Sequence, residues 1–343
     1  MKNFQFACLG IFAVILASSS FPAPCDAQST KSSGEGYTAY SLPAKHPVPL
    51  ATPTFVAVLL GGHGDVDEAT RDLCAHSGGG DLVVLRATGD DDYNKEFHEV
   101  CPGNSVTTLV ITSRDGAGVK FVAEKIRAAH AIFIAGGDQS NYVRFWTGTP
   151  VQEEINAAMA RGVPIGGISA GLAVQGQFVF TSMIDTITTP EALAAPYGPL
   201  VTLSRDFLNE PGLRGIITDS HFSQRERMGR SIVFMSRIIQ DGWATSVHAI
   251  GIDETTAVVL DPSGHAKVLG KGAAYFMTLD HRPEQCAYKK PLTVRGVKIL
   301  KVQAGPGPNA TFDFTSWTSP IAEAMEANVV DGNMKVTPDT PAK

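Results

Sequence analysis

The segment Val163-Pro-Ile-Gly-Gly-Ile-Ser-Ala-Gly171 sets a serine hydroxyl in a G-x-S-x-G pattern, with Gly167 and Gly171 on either side of Ser169. Glycines at that spacing remove side chains where a strand must reverse sharply into a helix, and the serine is left clear of the sheet. The chemistry such a turn serves is nucleophilic attack and acyl transfer. The backbone N–H of Ala170 would fall in the first helical turn, where unpaired amides and the helix dipole favour the negative charge of a tetrahedral intermediate. A serine hydroxyl is a poor nucleophile without a base, so the reading turns on which residue takes its proton.

Gly136-Gly137-Asp138-Gln139 is a turn with almost no side-chain bulk at its start. Its exposed amides make Gly137 or Asp138 a candidate second oxyanion donor; a plain strand-to-helix turn capped by Asp138 is the other reading. Asp219-Ser-His221-Phe-Ser-Gln-Arg225-Glu-Arg227-Met-Gly-Arg230 follows a short strand, Leu213 to Thr218, and offers His221 as the base. Arg227 and Arg230 stand three apart behind Arg225 and can share a helix face, a fork for one or two substrate carboxylates. An exposed face paired with Glu226 and solvent is the alternative. Asp253-Glu254 ends another strand, Ala249 to Ile252, and Glu254 is the candidate for holding the second imidazole nitrogen, with Asp253 as local competitor.

The elements that must position these groups follow a βαβα order. Phe55 to Leu60, Asp81 to Leu85, Ser105 to Ile111 and Ala131 to Ile134 are short apolar runs, separated by helix-compatible stretches such as Glu68 to Ala75 and Gly118 to His130. Such alternation predicts an α/β fold, a mostly parallel sheet with helices on both faces and ligands bound beyond the carboxyl ends of the strands. Each chemically suggestive segment sits at such an end. Ser182 to Phe207 reads as loops or a short excursion over the site. Ala257 to Leu260, His265 to Leu279 and Val294 to Ala304 read as antiparallel strands extending the sheet.

The 343 residues are 43% hydrophobic and 18% charged, enough for a large core. A formal charge of −6 without a Lys/Arg cluster argues against nucleic acid or an anionic membrane as partner and for a small substrate. Residues 1–27 read as a secretory signal: a short basic start, an apolar run from Phe6 to Ala17 that is short for a membrane span, and a small-residue end. The mature protein is then expected to be secreted or periplasmic, with no membrane association, and assembly as a homodimer stays open. Residues 28–50 read as a linker, 51–343 as a single catalytic domain, and the tail from about 305 as weakly structured. Asn309-Ala-Thr311 is a glycosylation acceptor if the host performs that modification. Cys74 and Cys101 are the pair to expect, with Cys286 left over; three buried free thiols is the other arrangement. The loop from His63 to Glu68 holds an imidazole and carboxylates, but acidic residues before a helix more often cap it. No metal and no cofactor is expected.

Taken together, Gly136-Gly-Asp-Gln139, Gly167-Ile-Ser-Ala-Gly171, the His221 segment with its arginines, and Gly251-Ile-Asp-Glu-Thr-Thr-Ala257 resemble the cyanophycinase family. These are serine peptidases related to the dipeptidase that cleaves aspartyl dipeptides. The motifs occur in the family's order over roughly Phe55 to Val259. The resemblance implies an αβα sandwich like that of the class I glutamine amidotransferases, with Ser169 as nucleophile, His221 as base and Glu254 as the acidic third member. It further implies that Gln139, Asp219, Arg225, Arg227 and Arg230 line the substrate pocket and that the Gly137 to Asp138 backbone forms the oxyanion loop. Ser220 stands where members that degrade cyanophycin commonly carry glutamine.

Two other functions compete. An α/β-hydrolase esterase also uses G-x-S-x-G, in the order Ser, acid, His, which Asp253 or Glu254 followed by His265 or His281 would satisfy. A non-catalytic periplasmic binding protein on the same fold would keep the pocket without the reaction.

Overall fold

A computed structural model of the chain describes residues 29–64, 66–305 and 310–338. The secretory signal expected at 1–27, Asp65 of the acidic loop and Asn309 of the glycosylation motif lie outside the described residues. The chain opens with β1 (Thr30–Gly34) and β2 (Tyr37–Leu42). An alternating stretch follows: β3 (Ala57–Leu60), α1 (Asp67–His76), β4 (Leu82–Arg86), α2 (Asp92–Val100), β5 (Val106–Ile111), α3 (Arg114–Ala117), α4 (Lys120–Arg127), β6 (Ala131–Ile134), α5 (Gln139–Trp146), α6 (Pro150–Ala160) and β7 (Ile165–Ile168). Next come α7 (Ala170–Ala173), β8 (Phe178–Phe180), α8 (Thr189–Ala194), β9 (Leu203–Arg205), β10 (Ile216–Asp219), α9 (Met228–Gln240) and β11 (Val247–Ile252). The chain ends in strands: β12 (Thr256–Leu260), β13 (His265–Gly270), β14 (Ala273–Leu279), β15 (Val294–Gln303), β16 (Thr311–Asp313), β17 (Glu323–Val330) and β18 (Asn333–Pro338).

These strands make two sheets, not one. The first has ten strands in the order β1-β2-β5-β4-β6-β7-β3-β12-β13-β16. Its five central strands, β5 to β3 in that order, are parallel and buried on both faces, which is why they read as continuous apolar runs. Both flanks are antiparallel, so the sheet is mixed and the expectation of a mostly parallel one does not hold. The second sheet runs β18-β17-β15-β14-β11-β10-β8-β9, with parallel pairing only at β11–β10 and β10–β8. Antiparallel neighbours need only short turns, so chain added outside the crossover units extends each sheet that way. Of the strands expected to extend the single sheet, β12 and β13 do so, whereas β14 and β15 belong to the second.

A shared core joins the two sheets: Leu59 and Val258 of the first pack in one cluster with Ile250 and Phe276 of the second. The outer face of the first sheet packs on α1 and α2 through Leu73 and Phe97, and the outer face of the second packs on α9 through Ile232 and Phe234. Two segments differ from the sequence expectation. Residues 28–50 are not a bare linker, because β2 pairs with β5 from Tyr37↔Ile111 to Leu42↔Val106. With only Ala39 of that strand buried, it carries no apolar period to detect. The tail beyond 305 supplies β16 to β18, with Ala327 and Val329 of β17 turned into the core as a half-buried strand.

Cys74 in α1 and Cys101 after α2 are joined in a disulfide, Cα–Cα 5.7 Å, which clamps the two helices on that outer face. Cys286 is free and buried, and burial pushes its thiol up to about 12. The cross-link closes a 27-residue separation. Replacing both Cys74 and Cys101 by alanine is therefore expected to lower unfolding stability by about 3.5 kcal/mol on the chain-entropy model, read from guanidinium denaturation of oxidised wild type against the variant. A change near zero would mean that helix packing alone fixes α1 and α2.

Candidate active site

Ser169 occupies the turn between β7 and α7 at φ 55°, ψ −110°, a left-handed conformation for a residue with a side chain. Such strain costs on the order of 1–3 kcal/mol and persists only where surrounding contacts fix it. Here Ser169 N–H donates to the Leu60 carbonyl at 3.0 Å, and the Ser169 carbonyl accepts from Ala173 N–H at 3.0 Å. The glycines of the motif answer to close approach. A Cβ on Gly171 would overlap the Ile134 carbonyl oxygen, and one on Gly167 would fall 2.7 Å from the Gly171 carbonyl carbon. The short helix is thus laid directly on the backbones of β6 and β7.

The second sheet brings the other two groups. His221 follows β10 and Glu254 follows β11. Ser169 Oγ lies 2.7 Å from His221 Nε2, and His221 Nδ1 lies 2.7 Å from Glu254 Oε1. His221 N–H donates to the Gly61 carbonyl at 2.9 Å, tying the turn to the end of β3, and Gly62 lies against the imidazole so closely that a Cβ would meet the ring. In the sequence this Gly61-Gly62 pair reads only as a strand end. Its role in seating the histidine becomes visible once the two sheets are side by side. Asp253, the competitor for the acidic position, is spent elsewhere: its carboxylate accepts from Ser223 N–H at 2.8 Å and Ala273 N–H at 3.0 Å.

Burial lowers the His221 pKa below the ordinary histidine value. The bond to Glu254 acts in the opposite sense, and the charges of Arg225 and Arg227 add to the lowering. Glu254 is itself held below the usual carboxylate range by the hydrogen bond from His221. At neutral pH the imidazole is therefore mostly neutral, the form able to accept the serine proton.

Ser169 stands between two cavities. One of about 600 Å³ is bordered by Gly137, Ala170, Ser220, Arg225, Arg227 and the segment 182–188; the other, about 440 Å³, is bordered by His63, Arg86, Tyr93 and His221. The segment 182–188 is part of the stretch expected to cover the site, and that stretch also contains α8 and β9. Ala170 begins α7, so its N–H lacks an intrahelical acceptor. The Asp138 side chain caps α5 by accepting from Ser140 N–H at 2.9 Å, which leaves the backbone at Gly137 and Asp138 to face the cavity. Tyr142, unmarked in the sequence, holds this turn: its hydroxyl is 2.9 Å from the Ala135 carbonyl and 3.1 Å from that of Gly136. Gln139 borders the same cavity, with its Nε2 3.5 Å from the Phe180 carbonyl.

The arginines do not form the expected open fork. Arg230 is 1% exposed and spends its guanidinium on Asp219, Nε to Oδ2 at 2.8 Å and Nη2 to Oδ1 at 2.6 Å, and on Thr186 and the Ile187 carbonyl. Arg227 places Nη1 3.2 Å from Asp219 Oδ1 and 2.9 Å from the Ser220 carbonyl, and burial brings its pKa down to about 10. Burial alone would raise the Asp219 pKa, yet the two guanidiniums outweigh it and hold the carboxyl below its ordinary value. Sequence spacing shows which arginines share a helix face and not which acid lies under it; Asp219 lies under these. Arg225 is exposed at the cavity; its main-chain N–H donates to the His221 carbonyl at 3.1 Å, and its guanidinium makes no hydrogen bond or ion pair among the described residues.

His265 and His281 are not brought to Ser169. His281 bonds Asp280 and the Arg295 carbonyl, and His265 bonds Ser263 and pairs with Asp313, all away from both cavities. Among the described residues no group of three or more His, Cys, Asp or Glu is placed to hold a metal ion. In the acidic loop, Asp67 and Glu68 form the first turn of α1, with Val66 at the cap position.

The model of peptidase family S51 matches residues 86–263, just over half of the chain. The chain belongs to peptidase family S51. The matched stretch holds Ser169, His221 and Glu254 together. Two curated relatives within reach of this S51 member are cyanophycinases. That of Trichormus variabilis is 30% identical over 217 residues, 60% of this chain and 65% of the relative. That of Geminocystis herdmanii is 31% identical over 183 residues, 53% of this chain and 61% of the relative. The chain therefore matches less than two thirds of either relative's length. Among solved structures, a peptidase from an acI-B1 actinobacterium aligns with a TM-score of 0.49 at 15% identity, over 70% of this chain and 98% of that one.

The buried Asp219 cluster generates a direct expectation. Asp219→Asn would leave the buried guanidiniums of Arg230 and Arg227 without their anion, and breaking such a pair from one side typically costs about 3–5 kcal/mol. Urea denaturation should show a loss of that order, together with loss of activity. A stability change below about 1 kcal/mol would mean that water or another group already screens the two guanidiniums.

Proposed function

We propose that this chain is a secreted serine hydrolase of the cyanophycinase type, cleaving peptide or isopeptide bonds next to aspartate, in cyanophycin or in β-aspartyl peptides. The observation that carries the reading is the unbroken pair of 2.7 Å hydrogen bonds from Ser169 through His221 to Glu254. Membership of a serine-peptidase family and the names of the cyanophycinase relatives support it.

In this reading Ser169 Oγ attacks the scissile carbonyl carbon while His221 Nε2 takes its proton. The carbonyl oxygen becomes the oxyanion, facing the N–H of Ala170 and the backbone at Gly137 and Asp138. Glu254 holds the imidazole by Nδ1, so that Nε2 presents its lone pair to the serine, and it stabilises the imidazolium once formed. Collapse of the tetrahedral intermediate breaks the C–N bond, and His221 passes its proton to the departing amine. Water, deprotonated by His221, then releases the acid from the acyl-enzyme and restores Ser169. Substrate carboxylate is met by Arg225 and by whatever N–H groups Arg227 has left beyond Asp219 and Ser220, while Arg230 and Asp219 form the charged wall behind them. Ser220, shorter than glutamine, leaves that part of the cavity wider.

The same reading extends to the protein's setting. A disulfide such as Cys74–Cys101 persists in oxidising compartments, in keeping with secretion or a periplasmic location directed by residues 1–27. The finer description of the architecture as a sandwich of the class I glutamine amidotransferase type belongs to the proposal as well.

Mass spectrometry of products from cyanophycin and from β-aspartyl dipeptides tests the substrate class, with Ser169→Ala as the control. Ser169→Ala and His221→Ala should each lower kcat by at least about a thousandfold, with Glu254→Gln milder by a margin on the order of tenfold or more. Near-normal turnover by Ser169→Ala would sink the assignment. So would a crippled His281→Ala beside a mild His221→Ala.

The acid limb of kcat/KM provides a second test. Because the His221 pKa is lowered, the neutral base is present down to a pH below the ordinary histidine value, and activity should fall only as pH drops through that lowered value. Removing the Arg225 charge with Arg225→Gln should move the limb to higher pH, and Glu254→Gln should move it lower. Shifts in the reverse directions would show that another group sets the limb.

A further inference from the structure

The hydrolysis proposed above calls for a second backbone donor at the oxyanion, and the turn after β6 presents two amides for that place, those of Gly137 and Asp138. Neither N–H makes a hydrogen bond among the described residues. What differs is how each peptide is held. Tyr142 in α5 is 1% exposed, and its ring stacks on that of the fully buried Trp146 with centroids 4.5 Å apart. Its hydroxyl reaches back to the carbonyls of Ala135 at 2.9 Å and Gly136 at 3.1 Å. Burial pushes the phenol above its ordinary pKa, so the hydroxyl keeps its proton and stays a donor at working pH. The next peptide has no such restraint: the Gly137 carbonyl, which shares a plane with the Asp138 N–H, accepts no hydrogen bond among the described residues.

A trans peptide is planar, and its C=O and N–H point in opposite directions. Holding the Gly136 carbonyl toward Tyr142 therefore turns the Gly137 N–H away from the buried phenol. Gly137 borders the cavity that Ser169 and Ala170 also border. The turn sits directly against the serine: a Cβ on Gly136 would stand 3.6 Å from Ser169 Cβ, and one on Gly171 would stand 2.9 Å from the Ala135 carbonyl oxygen. We infer that Tyr142 is a positioning residue for acyl transfer, its hydroxyl bond to the Gly136 carbonyl aiming the Gly137 N–H, rather than that of Asp138, at the oxyanion beside the Ala170 N–H. This role rests on the serine-hydrolase reading above and falls to a residue that borders neither cavity. Gly137 suits the position, because its φ of 153° disfavours a side chain and a Cβ there would come to 3.1 Å from the Tyr142 hydroxyl. A donor held in place before charge develops needs no reorganisation at the moment of reaction, and that is the source of its effect on rate.

The test compares wild type with Tyr142→Phe, which keeps the stacked ring and removes only the hydroxyl. Sites are counted by fluorophosphonate labelling run to completion. Then kcat/KM per site is measured for p-nitrophenyl acetate and for its thionoester, whose sulfur accepts hydrogen bonds poorly where the ester presents oxygen. Tyr142→Phe should lower the per-site value for the ester at least about tenfold and that for the thionoester much less, so that the preference for oxygen over sulfur shrinks. A tyrosine that merely supports the fold would lower the number of labelled sites and leave that preference unchanged. If Tyr142→Phe yields no labelled sites, Gly137→Ala decides the matter, since its Cβ would press on the same hydroxyl and disturb the same amide: the preference should shrink there as well. The assignment is overturned by a wild-type preference in Tyr142→Phe or, where that variant gives no sites, in Gly137→Ala. Labelling and ester hydrolysis that are absent from wild type, or that persist in Ser169→Ala, overturn the serine-hydrolase reading itself and this role with it.

Discussion

The hydrogen bond from His221 N–H to the Gly61 carbonyl joins the end of a strand in one sheet to the end of a strand in the other. The candidate site depends on that junction. Ser169 is carried by β7 of the ten-stranded sheet, whereas His221 and Glu254 are carried by β10 and β11 of the eight-stranded one. Thr255 N–H, in the turn that leaves β11, reaches the Gly62 carbonyl at 2.8 Å, so the chain after β3 is bonded to two segments leaving the second sheet, while Gly61 N–H continues the β3–β12 pairing to the Thr256 carbonyl at 2.9 Å. Close-packed interiors resist sliding. The core shared by Leu59, Val258, Ile250 and Phe276 therefore fixes the relative position of the sheets, and with it the 2.7 Å between serine and imidazole.

Electrostatics on the cavity side follow from one buried carboxylate. Asp219 ends β10, two residues before His221, and draws Arg230 and Arg227 inward. The charges of Arg225 and Arg227 add to the lowering of the His221 pKa by burial, and Glu254 opposes it. The cluster around Asp219 also ties 182–188 to the site, because Arg230 donates to the Thr186 hydroxyl and the Ile187 carbonyl. The segment over the cavity is thus fastened to the same charge cluster that forms its wall.

Much of this was legible in the sequence because its signals were local. The G-x-S-x-G turn, the histidine with its trailing arginines and the strand-ending Asp-Glu pair all fall at strand ends, and the structure brings Ser169, His221 and Glu254 together there. What escaped was non-local or lacked a periodic signal. No spacing rule distinguishes an arginine fork open to substrate from one closed on Asp219, since the acid is supplied from a strand and the arginines from the helix after it. The polar hairpin of β1 and β2 and the half-buried β17 are edge elements whose pairing comes from partners far along the chain. A second sheet was hidden for the same reason: β10 and β11 look like further parallel strands, and only their pairing with β8 and β14 separates them from the first sheet.

Placing the candidate nucleophile and the candidate base on different sheets has a consequence for how strain is held. Ser169 at φ 55° and His221 at φ 46° both sit in backbone conformations that side chains disfavour. A strained turn on a single edge would relax whenever that edge frayed. Here each strained residue is bonded to the end of β3, Ser169 to Leu60 within the first sheet and His221 to Gly61 from the second, so relaxing either one requires opening main-chain bonds at that strand end. β3 is buried along its whole length. The unusual geometry is therefore anchored in a buried strand end, and the absence of side chains at Gly61 and Gly62 is the condition for it, because any Cβ there would occupy the space of the Asp253 carbonyl or of the imidazole itself.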